Sequence, residues 1–197
     1  GLTLYPDQTL IDFGGGRHTG AADAPLRLPV RLDPPTAPPP ADLPPIVQRT
    51  GVDTHPLDAT DPDDADWLRA LIWPEHAARF ARLEAALALA RVAPARLVAA
   101  DAPSVIGDLA LAAPSAALAC VTHSMTLRQW PEARRRLFHE QLKGASMRRT
   151  ILRASLEHRP GDATPTVEFS IYARGAQTMR VTLADADPHG AWIALRR

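Results

Sequence analysis

The sequence contains almost no lysine, one cysteine, few aromatic residues and no long apolar run. Lys143 is the only lysine beside many arginines. We interpret this as a bias of genomic composition, although arginine also favours two-point contacts with carboxylates and phosphates. Cys120 has no partner for an internal disulfide and lies in an apolar run, so we expect a cytoplasmic protein with a buried thiol. No stretch approaches the roughly 18–20 apolar residues of a membrane span.

The chain also has no net charge. Its 22 basic residues balance 22 acidic residues, whereas a nucleic-acid-binding domain usually has a net basic face. Nucleic acid is therefore not an expected partner, and neither is a membrane. The length of 197 residues and the apolar content of 46% are typical of one soluble domain with a sizeable core.

The chain divides into two regions by composition. Residues 1–45 contain the loop "FGGGRHTGAADAP" between two strand-like runs, "QTLIDF" and "PLRLPVRL", followed by the proline-rich "DPPTAPPPADLPP". We interpret this region as a hairpin and an extended connector, because proline cannot join a central sheet ladder. Residues 46–197 are more regular. They predict a single α/β domain.

Apolar strands alternate with helical segments from Ile46 onwards. The strand candidates are "IVQRTGVDT", "RLVAAD", "AALACVTHS" and "RRTILRASLEH", and helical patterns separate them. This order predicts a mostly parallel sheet with helices on both faces. The tail differs, since apolar and polar residues alternate around "ARGAQ", which predicts an antiparallel hairpin. The expected fold is therefore a Rossmann-like α/β domain closed by a C-terminal hairpin.

An acidic stretch, "GVDTHPLDATDPDDADWL", contains both helix signals and candidate ligands. Asp61 is a good N-cap, Pro62 fits the first helical position, and Asp63 and Asp64 face the positive end of the helix dipole. From Asp61 onwards the acids are thus explained as the start of a helix. Trp67 and the leucines that follow predict an apolar face for it.

Polar residues end three successive predicted strands. In open α/β sheets, ligands bind at the carboxyl ends of the strands, so these residues are the candidates for a functional site. They are Asp53, Thr54 and His55 after the first strand, Asp101 after the second, and His123 and Ser124 after the third.

The same residues allow several interpretations. Asp53, His55, Asp58, Asp101 and His123 are donors that suit a divalent cation, but no HExxH, HxH or CxxC spacing supports a metal site. A nucleotide site requires less, because one carboxylate at a strand end can accept hydrogen bonds from ribose hydroxyls. His123 is equally explained as a hydrogen-bonded core histidine, and His55 as a residue that shapes the turn before Pro56.

Several segments resemble the bacterial domain-of-unknown-function family 2332. They are "GVDTHPLDATDPDDADWLRALIWPEHAARFARLEAALALA", "LVAADA", "VTHSMTLRQWP", "DADPHGAWIALR" and the opening "GLTLYPDQTLIDFGG". The resemblance covers essentially the whole chain. This family is similar in organisation to Rossmann-like S-adenosylmethionine-dependent methyltransferases, in which an acid ends the second strand and an antiparallel hairpin ends the domain.

The resemblance implies a cofactor, S-adenosylmethionine, and a role for each candidate residue. Gly1 would end the methionine-binding loop, Asp53 would hold the ribose with Thr54 beside it in the cofactor site, and Asp101 would face the adenine amino group. His123 and Ser124 would lie near the transferred methyl group, where His123 could deprotonate an acceptor. The acceptor would be a small molecule whose identity the sequence does not specify.

The resemblance also implies that the family's first strand and Gly-rich turn lie upstream of Gly1. Without a central strand the sheet would have unpaired edges, so we expect edge contacts with a partner chain, as in an oligomer, or with an upstream segment. Two alternatives to a methyltransferase stay open. One is a methyltransferase-like interaction module without catalysis, and the other is a metal-dependent hydrolase using Asp53, His55, Asp101 and His123.

Overall fold

The structure is a computed structural model that describes residues 4–38, 44–159 and 161–196. The chain forms two compact units. The described residues of Gly1–Pro29 and Pro38–Ala100 make the first unit, and those of Val30–Ala37 and Asp101–Arg197 make the second unit. The domains expected from composition, residues 1–45 and 46–197, stay a prediction. Residues 39–43 of the proline-rich connector lie outside the described part of the chain.

The chain is a mixed α/β protein with open sheets. The helices are α1 (Pro62–Ala70), α2 (Ala77–Val92), α3 (Ala102–Ala112) and α4 (Glu132–Ser146), with short 3₁₀ turns at Pro6–Gln8 and Leu127–Gln129. The strands are β1 (Thr9–Gly14), β2 (Arg17–Thr19), β3 (Leu26–Pro29), β4 (Arg31–Asp33), β5 (Thr50–Asp53), β6 (Arg96–Ala99), β7 (Ala119–Ser124), β8 (Ile151–Glu157), β9 (Thr166–Ala173), β10 (Ala176–Ala186) and β11 (Trp192–Leu195). Within the described ranges, no helix is long and apolar enough to cross a membrane.

The first unit contains two small sheets. One has the order β2-β1-β3, with β1 antiparallel to β2 and parallel to β3. The other is a parallel pair, β5 and β6, whose register runs from Thr50 opposite Arg96 to Asp53 opposite Ala99. Helices α1 and α2 connect β5 to β6, so this pair is a β-α-β unit. Residues 50–53 are a shorter strand than the predicted "IVQRTGVDT".

Helix α1 begins where the sequence predicts, but the residues that it buries differ from the predicted apolar face. Asp61 is the N-cap, and its Oδ1 accepts the backbone N–H of Asp63 at 2.9 Å. The predicted apolar face is wrong in part, since Trp67 and Leu71 are more than half exposed and Ala65 is the buried residue of the helix. A helix of nine residues has a narrow contact face, and here the small alanine occupies it.

The second unit is built on a six-stranded sheet of order β4-β11-β10-β9-β8-β7. Strand β7 is parallel to β8, and β11 is parallel to β4. The three pairings between them, β8–β9, β9–β10 and β10–β11, are antiparallel. The predicted C-terminal hairpin is therefore present as β9 and β10, whereas the expectation of a mostly parallel sheet is wrong here. Only residues 158–165 connect β8 to β9, and a parallel crossover needs a dozen or more residues.

Both helices of the second unit pack into one core. Ala110 of α3, Phe138 and Leu142 of α4, Ile151 of β8 and Tyr172 of β9 belong to the same buried cluster. Helices on both faces of the sheet are thus not found in the described part of this unit. The strand faces that meet this core are called the inner face below: it carries Ala119, Val121 and His123 of β7 and alternate residues of β8 and β9.

The expected buried thiol is exposed. Cys120 lies on β7, and its neighbours on the same face of that strand, Thr122 and Ser124, are exposed as well. The prediction failed because β7 is an edge strand covered on its inner face alone. Among the described residues, β7 pairs only with β8, and β5 only with β6. The predicted contact of such an edge with an additional segment or a partner chain stays a prediction.

We expect Gly20→Ala to destabilise the first unit more than Gly15→Ala. Gly20 has φ +95°, and a Cβ atom there would lie 2.2 Å from the carbonyl oxygen of Thr9. Gly15 also has a positive φ, +62°, but its Cβ position has no heavy atom within 4 Å. Backbone strain alone costs about 1–3 kcal/mol, and Gly20→Ala adds a backbone clash. Urea unfolding followed by circular dichroism measures both variants, and equal losses would contradict the expectation.

Candidate functional site

His123 lies at the carboxyl end of β7 with both ring nitrogens hydrogen bonded. Arg153 Nε donates to His123 Nε2 at 2.9 Å, and His123 Nδ1 lies 2.8 Å from Glu157 Oε1. Because an arginine Nε–H is always a donor, Nε2 must be the acceptor. The proton of the neutral ring is therefore on Nδ1, which donates to Glu157. Only 8% of the His123 side chain is exposed.

Glu157 fixes the loop that follows β7. Besides His123, its carboxylate accepts the backbone N–H groups of Thr126 at 2.8 Å and Leu127 at 2.9 Å, with Arg128 at 3.4 Å. Burial raises the pKa of Glu157, but the hydrogen bonds from His123, Leu127 and Thr126 outweigh burial and hold the pKa below its usual value. The residue is therefore an ionised carboxylate inside the unit.

The loop held by Glu157 contains a strained residue. Met125 has φ +54°, a left-handed conformation that costs a non-glycine residue about 1–3 kcal/mol and occurs often at functional sites. Its N–H donates to the carbonyl of Leu156 at 2.8 Å. Ser124, just before it, is exposed, and its carbonyl accepts the Thr126 hydroxyl at 3.0 Å. The end of β7 is thus a rigid turn that presents Ser124 outwards.

Burial keeps His123 of β7 and His139 of α4 neutral. Burial lowers the pKa of His123, an effect that the hydrogen bond to Glu157 only partly offsets. Burial, and then the positive charge of Arg153, lowers the pKa of His139 to about 4. His139 Nδ1 is hydrogen bonded to the hydroxyl of Tyr172, at 2.8 Å. Neither imidazole therefore carries a charge near neutral pH.

The other predicted residues are distributed over the two units. Asp53 ends β5 in the first unit and Thr54 follows it. Both are exposed, and Asp53 Oδ1 accepts the N–H of His55 at 2.9 Å in a local turn. Asp101 begins α3 in the second unit, where it pairs with Arg134 and accepts the Ser104 hydroxyl at 3.1 Å. The three candidates of the second unit share no hydrogen-bond partner. Asp101 contacts Arg134 and Ser104, His123 contacts Arg153 and Glu157, and the carbonyl of Ser124 accepts the hydroxyl of Thr126. Gly1 lies outside the described residues.

No group of three or more His, Cys, Asp or Glu side chains that suits a metal ion occurs within residues 4–38, 44–159 and 161–196. The hypothesis of a metal-dependent hydrolase therefore has no supporting geometry in this part of the chain. The assignment of His123 and Ser124 to catalysis, and of Asp53, Thr54 and Asp101 to cofactor binding, stays a prediction.

The sequence did not single out Arg153, Glu157 or Glu168. They alternate with apolar residues in "ILRASLE" and "TVEFSIYA". That alternation was the feature of the sequence that could have identified them. Alternation shows that a strand has two different faces, but it does not show which face is buried. Here the polar residues of β8 and β9 lie on the buried face, contrary to the usual pattern.

Comparison with known proteins gives one match. Residues 1–194 match a family model described as an uncharacterized protein conserved in bacteria, DUF2332. No curated protein and no solved structure matches the chain.

We expect Glu157→Ala to lower the free energy of unfolding of the second unit by about 3–5 kcal/mol, because it leaves the buried donors of His123, Thr126 and Leu127 without their acceptor. The control is Glu132→Ala, which removes an exposed partner of Arg136 and should cost at most about 1 kcal/mol. Urea unfolding is followed by fluorescence in a Trp67→Phe, Trp73→Phe background. These two tryptophans are exposed and belong to the first unit, so the remaining signal reports the second. Similar losses in both variants would contradict a central role for Glu157.

We also expect the second unit to lose stability as the pH falls from about 6.5 to 4. A histidine titrates near pH 6.5 when unfolded, whereas the pKa of folded His139 is about 4. Between these values the unfolded state binds more protons, so acidification favours unfolding. His123, with a lowered pKa, acts in the same direction, and Glu157 adds a loss below about pH 4.5.

The test compares the pH dependence of the urea midpoint in the wild type, in His139→Gln, and in His189→Gln. His189 is exposed on the turn before β11 and serves as the control. His139→Gln should flatten the dependence between pH 6.5 and 4, while His189→Gln should not. A wild-type midpoint that stays constant over this range would contradict the expectation.

Proposed function

Since the chain belongs to the bacterial family DUF2332 of uncharacterized proteins, its activity has to be inferred from its own residues, and we propose that it binds S-adenosylmethionine through Asp53. Asp53 contacts the ribose in this proposal, and Thr54 lies beside it. The protein is then a methyltransferase-like protein whose acceptor is a small molecule.

The position of Asp53 is the observation that supports this proposal. It is the last residue of β5, in a parallel β-α-β unit, opposite Ala99 at the end of β6. Ligands of open α/β folds bind beyond the carboxyl ends of such strands, and an acid there accepts the ribose hydroxyls. The Asp53 side chain is exposed, and among the described residues its carboxylate accepts one hydrogen bond, from the N–H of His55. No ion pair to Asp53 occurs among the described residues.

Asp101 lies in the second unit, where it pairs with Arg134 and accepts the Ser104 hydroxyl. Its expected contact with the adenine amino group stays a prediction, and the proposal for Asp53 rests on the first unit alone.

Hydrogen bonding at His123 favours the non-catalytic alternative, a methyltransferase-like module that binds without transferring a methyl group. A general base needs a free nitrogen within hydrogen-bond reach of the acceptor proton, and both nitrogens of His123 have protein partners. Catalysis by His123 would require Arg153 to release Nε2. Ser124 is exposed beside it, so it is the more accessible of the two proposed catalytic residues.

The proposal is tested by calorimetric titration of the protein with S-adenosylmethionine and S-adenosylhomocysteine. The wild type should bind, and Asp53→Ala should weaken binding by about 10- to 100-fold, the value of a hydrogen bond to a charged group. Asp63→Ala is the matched control, because Asp63 is an exposed acid in the first turn of α1. Circular dichroism checks that the variants fold.

Absence of binding by the wild type would reject the proposal as a whole. Binding that Asp53→Ala leaves unchanged would reject the ribose contact alone. If the cofactor binds, methyl transfer to a panel of small acceptors separates the enzyme from the non-catalytic module, since only the former produces S-adenosylhomocysteine.

A further inference from the structure

The inner face of the second unit carries an unusual set of charged groups beside its apolar core. Strand β8 contributes Arg153, Ser155 and Glu157, and the facing strand β9 contributes Glu168 and Ser170. All five are at least nine-tenths buried. A buried charge is costly unless it is paired and hydrogen bonded, so each of these groups should have a partner.

The guanidinium group of Arg153 has a hydrogen-bond partner among the described residues at Nε but not at its two terminal nitrogens. Its side chain is 4% exposed, and its one hydrogen bond to a described residue is from Nε to His123. Glu168 is the carboxylate that pairs with it, but the shortest separation, from Arg153 Nη1 to Glu168 Oε2, is 3.9 Å. That distance is too long for a hydrogen bond. Neither terminal nitrogen of Arg153 therefore donates a hydrogen bond to a described residue, so their N–H groups are available to a ligand or to water.

Glu168 cannot approach Arg153 because two other arginines occupy its carboxylate. Arg180 Nη2 donates to Oε1 at 2.9 Å and to Oε2 at 3.1 Å, and Arg180 Nε donates to Oε2 at 3.2 Å. Arg159 Nε donates to Oε1 at 2.8 Å. Burial raises the pKa of Glu168, but the hydrogen bonds from Arg180 and Arg159 outweigh it and lower the pKa. This carboxylate is ionised and fully used.

Ser155 provides a second unpartnered group. Its hydroxyl oxygen is buried and has no hydrogen-bond partner among the described residues. Ser155 lies opposite His123 in the β7–β8 register and opposite Glu168 in the β8–β9 register. Its side chain therefore lies on the same face as Arg153, one inward-facing position further along β8.

The charged groups on and next to the inner face sum to one positive charge when the mutually paired Asp185 and Arg196 are set aside. Arg153, Arg159 and Arg180 are cations, Glu157 and Glu168 are the facing carboxylates, and His123 is neutral because of its lowered pKa. One positive charge remains, and it belongs to the guanidinium that lacks a hydrogen-bonded carboxylate.

We propose that Arg153, with Ser155 beside it and Arg180 nearby, binds the oxyanion group of a small ligand, a carboxylate or a phosphate. The paired N–H groups of a guanidinium match two oxygens of either group. The Ser155 hydroxyl donates a further hydrogen bond. This site lies wholly in the second unit and does not depend on the proposed binding of S-adenosylmethionine.

The probes are sodium succinate and sodium phosphate, titrated into the protein at an ionic strength held constant with sodium chloride. Binding is measured by calorimetry and by the rise of the urea midpoint of the second unit. We expect saturable binding of one or both probes to the wild type, and the two arms show whether a carboxylate or a phosphate is preferred. Arg153→Met should weaken binding by about 10- to 100-fold.

Two further variants make the result decisive. Arg136→Met removes an exposed arginine of α4 and should bind as the wild type does, which controls for the loss of one positive charge. Arg180→Met should weaken binding, because it frees Glu168 to approach Arg153. Its side chain is 55% exposed, so this variant tests the site even if Arg153→Met does not fold.

Two results would overturn the proposal. The first is a wild type that responds to succinate and phosphate no more than to chloride. The second is a response that Arg180→Met, and Arg153→Met where it folds, share with the wild type. Either result would mean that only water satisfies the guanidinium of Arg153.

Discussion

The second unit depends on the hydrogen bonds of one buried carboxylate, that of Glu157. The residue ends β8, yet most of its partners belong to β7 and the loop that follows: His123, Thr126 and Leu127. Parallel neighbours such as β7 and β8 have no hairpin turn to join their ends. Glu157 serves that purpose here, because it binds the chain as it leaves β7 and holds it next to the end of β8.

The same carboxylate determines the chemical state of its surroundings. By accepting the Nδ1–H of His123 it leaves Nε2 as an acceptor, and Nε2 in turn receives the Nε–H of Arg153. The guanidinium is thus fixed by a neutral group instead of a carboxylate. Buried polar networks are costly when only partly satisfied. Among the described residues, the buried atom of this network without a hydrogen-bond partner is the hydroxyl oxygen of Ser155, and the terminal nitrogens of Arg153 lie too far from Glu168 for a hydrogen bond. The structural role of Glu157 and the binding role that we propose for Arg153 therefore belong to one connected set of hydrogen bonds.

Much of the local structure could be predicted from the sequence. The cap at Asp61, the strands that end at Asp53 and Ser124, and the hairpin of β9 and β10 follow from short-range patterns. The polar lining of the inner face could not be predicted, because "ILRASLE" is equally compatible with either face being buried. Which face is covered depends on where α4 packs, and that is a tertiary contact. The exposure of Cys120 has the same origin, since it depends on the edge position of β7.

The strand-end residues show why position alone does not assign a role. Asp53, Asp101 and His123 follow three strands in equivalent places in the sequence, and the sequence treats them alike. The structure distinguishes them by their partners: Asp101 has Arg134, His123 has Glu157 and Arg153, and Asp53 is exposed in a local turn. A side chain that forms its hydrogen bonds within the protein holds its neighbours in place. An exposed carboxylate with few partners can still accept hydrogen bonds from a ligand. This difference is the reason why we propose binding at Asp53, whereas the hydrogen bonds of His123 hold Arg153 in place.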